Sequence, residues 1–179
     1  MSTKQHLTPS GFSTILNYYA SINRGLSPSV SASFTEIVGV KKETVVLPEN
    51  LNPLWLSGFV AGDGGFSIGI RQETGQIYFR FHITQHDRDS LLMNLFVKFF
   101  ECGKVNIRTR TNRCDYYVQD FLQIYDTIIP HFDNYPLYNI KSLDFADFKK
   151  AAELFKANGR NSTEDIKEII SNMNSKRED

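Results

Sequence analysis

Hydrophobic and polar positions along this chain change period several times, and each change marks a boundary between elements. Phe12, Ile15, Leu16, Tyr19 and Ile22 recur at helical spacing behind a Thr8-Pro9 start, in which Thr8 supplies the cap and Pro9 the first turn; Gly25 is the expected C-cap. From Leu26 to Asn50 the pattern dissolves into Ser, Pro and mixed extended residues, which reads as a linker. Asn52-Pro53 then opens a second helix, whose apolar positions are Trp55, Leu56, Phe59 and Val60. After Gly64-Gly65 the period drops to two. Phe66, Ile68 and Ile70 alternate with Ser67, Gly69 and Arg71, a Glu73-Thr74-Gly75 turn follows, and Phe79, Phe81 and Ile83 alternate with Arg80, His82 and Thr84. This is a hairpin with one apolar and one polar face.

The same arrangement then repeats. Leu91, Leu92, Leu95, Phe96 and Phe99 predict an amphipathic helix over 89–100. A second hairpin turns Val105, Ile107, Tyr116 and Val118 inward. Lys104, Asn106, Arg108, Asp115, Tyr117 and Gln119 face outward. Helices are expected over 121–132, 140–157 and 163–174. The chain is therefore α+β, with an α-β-β-α-β-β-α order. Phe12, Ile15 and Leu16 also echo Ile166, Ile169 and Ile170 at an offset of 154, so similar helices open and close the chain.

Composition narrows the picture. The 179 residues include 14 Phe and 8 Tyr, enough for a sizeable core in one domain. Formal net charge is zero, which argues against a general polyanion binder. The charge is unevenly placed, however. Between Phe66 and Cys114 there are eight Lys and Arg residues against four acids, so positive charge gathers in the strand-forming segment as a localised nucleic-acid footprint would. Cys102 and Cys114 have neither disulfide-framework nor zinc-site spacing, which points to a reducing compartment. His82 and His86 share a strand face but lie too far apart along it to chelate one ion. No run approaches the roughly 18 apolar residues of a membrane span, and Met1–Pro9 lacks the apolar core of a signal peptide.

The second helix carries the chemistry. Its small residues Gly58 and Gly62 lie four apart on one face, where another backbone can approach closely. Gly weakens a helix interior by about 1 kcal/mol relative to Ala, so two of them imply that packing compensates. Asp63 ends the run. Two copies of this helix packed on that face would bring two Asp63 carboxylates together, an arrangement suited to divalent metals and phosphodiester hydrolysis.

Residues Leu56-Ser57-Gly58-Phe59-Val60-Ala61-Gly62-Asp63-Gly64 resemble the signature of the LAGLIDADG homing endonucleases; the sixth position, often acidic there, is Ala61. The resemblance implies the homing-endonuclease fold, with a four-stranded antiparallel DNA-binding sheet, and site-specific double-strand cleavage supported by Mg²⁺ or another divalent metal. It makes Asp63 the metal ligand and catalytic acid residue, Gln85 a solvent-ordering glutamine near the scissile phosphate and Lys141 the active-site lysine.

The polar sheet face would meet the DNA major groove, which admits a two-stranded ribbon. Ser67, Arg71, Arg80, His82, Thr84, Lys104, Asn106, Arg108, Asp115, Tyr117 and Gln119 are the candidate contacts, and Arg110 and Arg113, expected at the turn, would bind the phosphate backbone. The resemblance divides the chain into 1–25, an amphipathic helix left from an upstream half; 26–50, a linker; and 51–179, the LAGLIDADG domain. It implies a fungal mitochondrial setting and a partner, either a second copy or a first half. Two other functions use the same surface: an RNA-binding maturase or scaffold gripping structured RNA, and a catalytically silent DNA-binding module.

Overall fold

Asn52 begins the central helix by accepting hydrogen bonds from the Leu54 and Trp55 N–H groups with its side-chain oxygen, 2.9 and 3.1 Å. In this computed structural model, which describes residues 4–22, 25–41 and 45–174, the chain forms two compact units, Met1–Val46 and Leu47–Asp179.

In the first unit, α1 (Pro9–Ser21) starts as expected, with Thr8 Oγ1 accepting from Gly11 N–H at 3.1 Å. It ends earlier than the sequence suggested. Ile22 is extended and serves as C-cap, and Gly25, at φ +73°, lies beyond the helix. Within the stretch read as linker, Ser27 caps a short helix α2 (Pro28–Ser33). The following residues return along α1: Phe34 meets Phe12 edge to face at 5.5 Å, and Ser21 Oγ bonds the Val40 backbone. Residues 42–44 of that expected linker, and 175–179 of the expected domain, lie outside the described residues.

The second unit runs α3 (Pro53–Asp63), β1 (Gly64–Ile70), β2 (Ile77–His86), α4 (Ser90–Phe100), β3 (Lys104–Arg108), β4 (Arg113–Val118), α5 (Phe121–Gln123), a π-helical turn (Ile124–Ile128), α6 (Ile129–Asn134), α7 (Lys141–Asn158) and α8 (Thr163–Asn172). The four strands form one antiparallel sheet in the order β1-β2-β4-β3. Its apolar face carries Phe66, Phe79, Phe81, Ile83, Tyr116 and Val118, all essentially buried. Rings bind the layers together. Phe66 lies 5.3 Å from both Phe132 of α6 and Phe148 of α7, and Tyr116 stacks on Phe96 of α4 at 5.7 Å.

Two expectations need correction here. The single helix expected over 121–132 is interrupted, because Pro130 has no N–H and its ring would strike the carbonyl four residues back. The π turn absorbs the mismatch, with Ile129 N–H reaching back to Ile124 O. Ile107, expected inward, is 53 % exposed near the end of β3, one of the two edge strands.

Tyr116 places its hydroxyl inside this core, donating to Cys102 O at 3.0 Å, and burial pushes its pKa well up. Tyr116→Phe keeps the ring and leaves a buried carbonyl short of a partner, so a loss of about 1–2 kcal/mol is expected in urea unfolding. An unchanged midpoint would show that the carbonyl finds water.

Candidate nucleic-acid interface and acidic centre

Asp63 is the last residue of α3, and Gly64 opens β1 directly after it. A carboxylate at a helix C-terminus faces the negative end of the macrodipole, costing about 0.3–1 kcal/mol. The chain offsets this with a cation. Lys141, at the start of α7, donates from Nζ to Val60 O (3.0 Å), Gly62 O (3.2 Å) and Gly64 O (2.6 Å), carbonyls of the last turn of α3 and the first residue of β1, of which Val60 O also accepts from Gly64 N–H. Burial pushes the Lys141 pKa down, and Asp63 and Asp144 oppose that shift. Asn139, to which the sequence reading gave no role, completes the cap. Its Nδ2 donates to Ala61 O at 2.8 Å while its Oδ1 accepts from Lys141 N–H at 3.2 Å. The readable signal was an Asn two residues before a helix start, a capping preference.

Gln85 reaches the same corner from the end of β2, where Nε2 donates to Asp63 Oδ2 at 2.7 Å. The structure thus gathers Asp63, Gln85 and Lys141 around one helix end. Among the described residues no group of three or more His, Cys, Asp or Glu side chains is placed to hold a metal ion. Asp63 is exposed, and its donor atoms are hard oxygens of the kind Mg²⁺ takes alongside phosphates and water. These residues fit a divalent metal as the source of one carboxylate ligand.

Gly58 and Gly62 are exposed on α3, and a Cβ added to either would meet nothing within 4 Å among the described residues. Leu54 and Trp55 of the same helix and Tyr138, Ile140 and Leu143 near the start of α7 are also exposed.

The polar sheet face follows from strand register. Ser67 lies opposite Arg80, and His82 opposite both Gly65 and Tyr117. Thr84 and Asn106 flank Asp115, and Lys104 faces Tyr117. Gly65 leaves room there for the His82 ring, which a Cβ would approach to 2.7 Å. Arg80 and Lys104 both sit over the Tyr117 ring, at 4.9 and 5.4 Å, which fixes two cations on one aromatic platform. Burial lowers the His82 pKa, Arg80 adds to that and Asp115 opposes it. Arg71 and Gln119 line a cavity of about 670 Å³ with Tyr78 and Arg80. Arg110 lies in the β3–β4 connection as expected, whereas Arg113 is the first residue of β4, opposite Arg108 and His86, and not in the turn.

Asp115 departs most from expectation. It lies on the outward face but is 1 % exposed, accepting from Thr84 Oγ1 at 2.6 Å and paired with Arg108 Nε. Burial would raise its pKa; the hydrogen bonds from Arg108 and Thr84 more than offset that and hold it below the usual range. No described helix is long and apolar enough to cross a membrane.

Known proteins share this architecture. Over 98 % of its length the chain is 33 % identical to "Probable intron-encoded endonuclease 2" of Neurospora crassa, of which it covers 40 %. "Probable intron-encoded endonuclease 3" of the same fungus is 31 % identical over 86 % of the chain and 30 % of that protein. The chain therefore spans less than half the length of these curated relatives. Among solved structures, the LAGLIDADG homing endonuclease I-GzeII in complex with its DNA target matches with a TM-score of 0.91 and 30 % identity, over 99 % of this chain and 64 % of that one. I-SmaMI bound to cleaved DNA gives 0.90 and 32 %, over 99 % and 62 %. The family model described as LAGLIDADG endonuclease matches residues 56–152, from the helix that ends at Asp63 to the helix that begins at Lys141, and the chain belongs to this family.

Proposed function

We propose that this chain contributes one half of a site-specific DNA endonuclease that cuts both strands of its target by metal-dependent phosphodiester hydrolysis. The observation that carries the reading is the hydrogen bond from Gln85 to Asp63, beside Lys141 and at the edge of a sheet whose polar face carries the basic residues. Gln85 ties Asp63, at the end of α3, to the end of β2, which restrains the acid, and positioning of this kind contributes to rate. When bound, a divalent metal would neutralise charge on the phosphate and lower the pKa of its water. Asp63 would hold it, with a second carboxylate from another signature helix. Gln85 orients solvent at Asp63, and Lys141 places a fixed cation beside the reacting phosphate.

On the sheet, Arg80, His82, Thr84, Lys104, Asn106, Arg108, Tyr117 and Gln119 face the major groove with Ser67 and Arg71, while Arg110 and Arg113 contact phosphates. The relatives' names support an intron-encoded origin, and we place the protein in mitochondria on the same resemblance.

The test is incubation of the chain with a random-sequence duplex library and Mg²⁺, followed by sequencing of cut ends. One shared site among the ends supports the reading; intact duplexes that are still bound support a silent binding module. A second measurement separates reading from anchoring. Arg108→Ala is expected to cost about 1–3 kcal/mol and relax preference at one base pair, whereas Arg110→Ala weakens all sequences alike and lowers the salt slope by about one. Equal, sequence-independent losses for both would show that the sheet does not read bases.

A further inference from the structure

The polar sheet face contains one buried anion. Asp115, in the middle of β4, lies between Thr84 on one neighbour strand and Asn106 on the other, and Arg108 folds over it from the end of β3. A carboxylate taken out of water costs several kcal/mol unless it is paired and its lone pairs are used. Both of its oxygens are engaged here, Oδ1 by the Thr84 hydroxyl and Oδ2 by Arg108 Nε. The arginine side chain remains 46 % exposed, and its terminal nitrogens take no hydrogen-bond partner among the described residues.

We propose that Asp115 is a specificity-determining positioning residue: it fixes Arg108 through Nε so that the Nη1–Nη2 edge stands ready for the O6 and N7 of one guanine in the major groove. The inference rests on the DNA reading above and deepens it.

Three physical arguments support the assignment. A free arginine side chain loses rotamer entropy when it is held, and an arginine already anchored has lost part of that before DNA arrives. The guanidinium is planar, so fixing Nε fixes the direction of its end edge, which matches the paired acceptors of guanine. The carboxylate would repel phosphates if exposed, but buried beneath Arg108 it presents no anion to the DNA. Asp115 therefore does not take a base of its own, because at 1 % exposure its remaining lone pairs lie beneath Arg108, out of reach of a cytosine amino group.

The experiment is a binding selection from a randomised duplex library without divalent metal, so that nothing is cut, followed by sequencing of the bound fraction for the chain and three variants. The wild-type chain is expected to enrich guanine at one position. Asp115→Asn lowers that enrichment on the order of tenfold, the scale of one bidentate contact, with the other positions unmoved. Arg108→Lys keeps the positive charge but has no planar edge, and removes the same preference. Thr84→Val leaves the ion pair and frees one oxygen, and lowers the same enrichment by a smaller factor.

Melting curves show which variants are folded, and Arg108→Lys and Thr84→Val test the arrangement without removing the buried charge. Undiminished guanine enrichment in folded Asp115→Asn, or in both Arg108→Lys and Thr84→Val, overturns the inference and leaves the DNA reading standing. A cytosine preference that depends on Asp115 and survives Arg108→Lys also overturns it, because Asp115 would then read the base itself. Equal binding of all duplexes by the wild-type chain sinks the inference together with sequence readout by this sheet. A uniform loss at every position in Asp115→Asn would make the pair structural only.

Discussion

Asp63→Asn is expected to lower DNA cleavage on the order of a thousandfold or more while leaving fold and DNA affinity nearly unchanged. The change is close to isosteric. An asparagine oxygen still accepts the hydrogen bond from Gln85 Nε2, and the three bonds from Lys141 go to backbone carbonyls that the substitution does not touch. Only the charge is lost. If that charge holds a metal at the scissile phosphate, its removal forfeits several kcal/mol of transition-state stabilisation, and each 1.36 kcal/mol is about a decade in rate. Affinity should hold or rise slightly, since an exposed anion facing phosphates has been neutralised. Single-turnover cutting, fluorescence anisotropy with labelled duplex and a melting curve separate the three quantities. Binding that falls in step with cutting would mean that Asp63 supports structure.

Much of the frame was legible in the sequence because it depends on local rules. Asn52-Pro53 is a helix start wherever it occurs on an apolar run, and the period change at Gly64 converts at once into the first strand. Alternation placed Arg80, His82, Asn106 and Asp115 on one face, and the register confirms that face. Tertiary reach decided what could not be read. A lysine near a helix start is ordinarily solvated; only the folded chain brings Lys141 under the carbonyls of α3. Strand parity gave the face of Asp115 but not its burial, which comes from Arg108 and Thr84 on neighbouring strands. Ile107 obeyed the alternation and is still exposed, since parity says nothing about where a covering layer stops. Pro130 was a local signal for the interrupted helix, and the apolar spacing around it masked that signal.

Gly62→Leu should separate the chain's own stability from its assembly, with opposite signs. Among the described residues the position is open. A Cβ at Gly62 meets nothing within 4 Å, and the residue is helical with no positive φ. Replacing Gly by a good helix former near a helix end is therefore neutral or stabilising by up to about 1 kcal/mol in the isolated chain. Across a seam the outcome reverses. Helices that meet at glycines approach to near backbone contact, and a leucine there forces them apart by more than a core tolerates. Because Asp63 follows Gly62 directly, that separation also pulls apart the two carboxylates of a shared site. The expected result is an unchanged or raised melting temperature, loss of the dimer or half-domain complex in sedimentation, and loss of double-strand cutting together with it. A wild-type chain that sediments as a monomer at high micromolar concentration and still cuts both strands would remove the need for a partner. A Gly62→Leu chain that melts well below wild type would show instead that the glycine face packs within the chain. A single carboxylate at the end of α3, with no group of three metal-ligand side chains among the described residues and with glycines on the same helix facing open space there, is the physical reason to expect loss of assembly and cutting together.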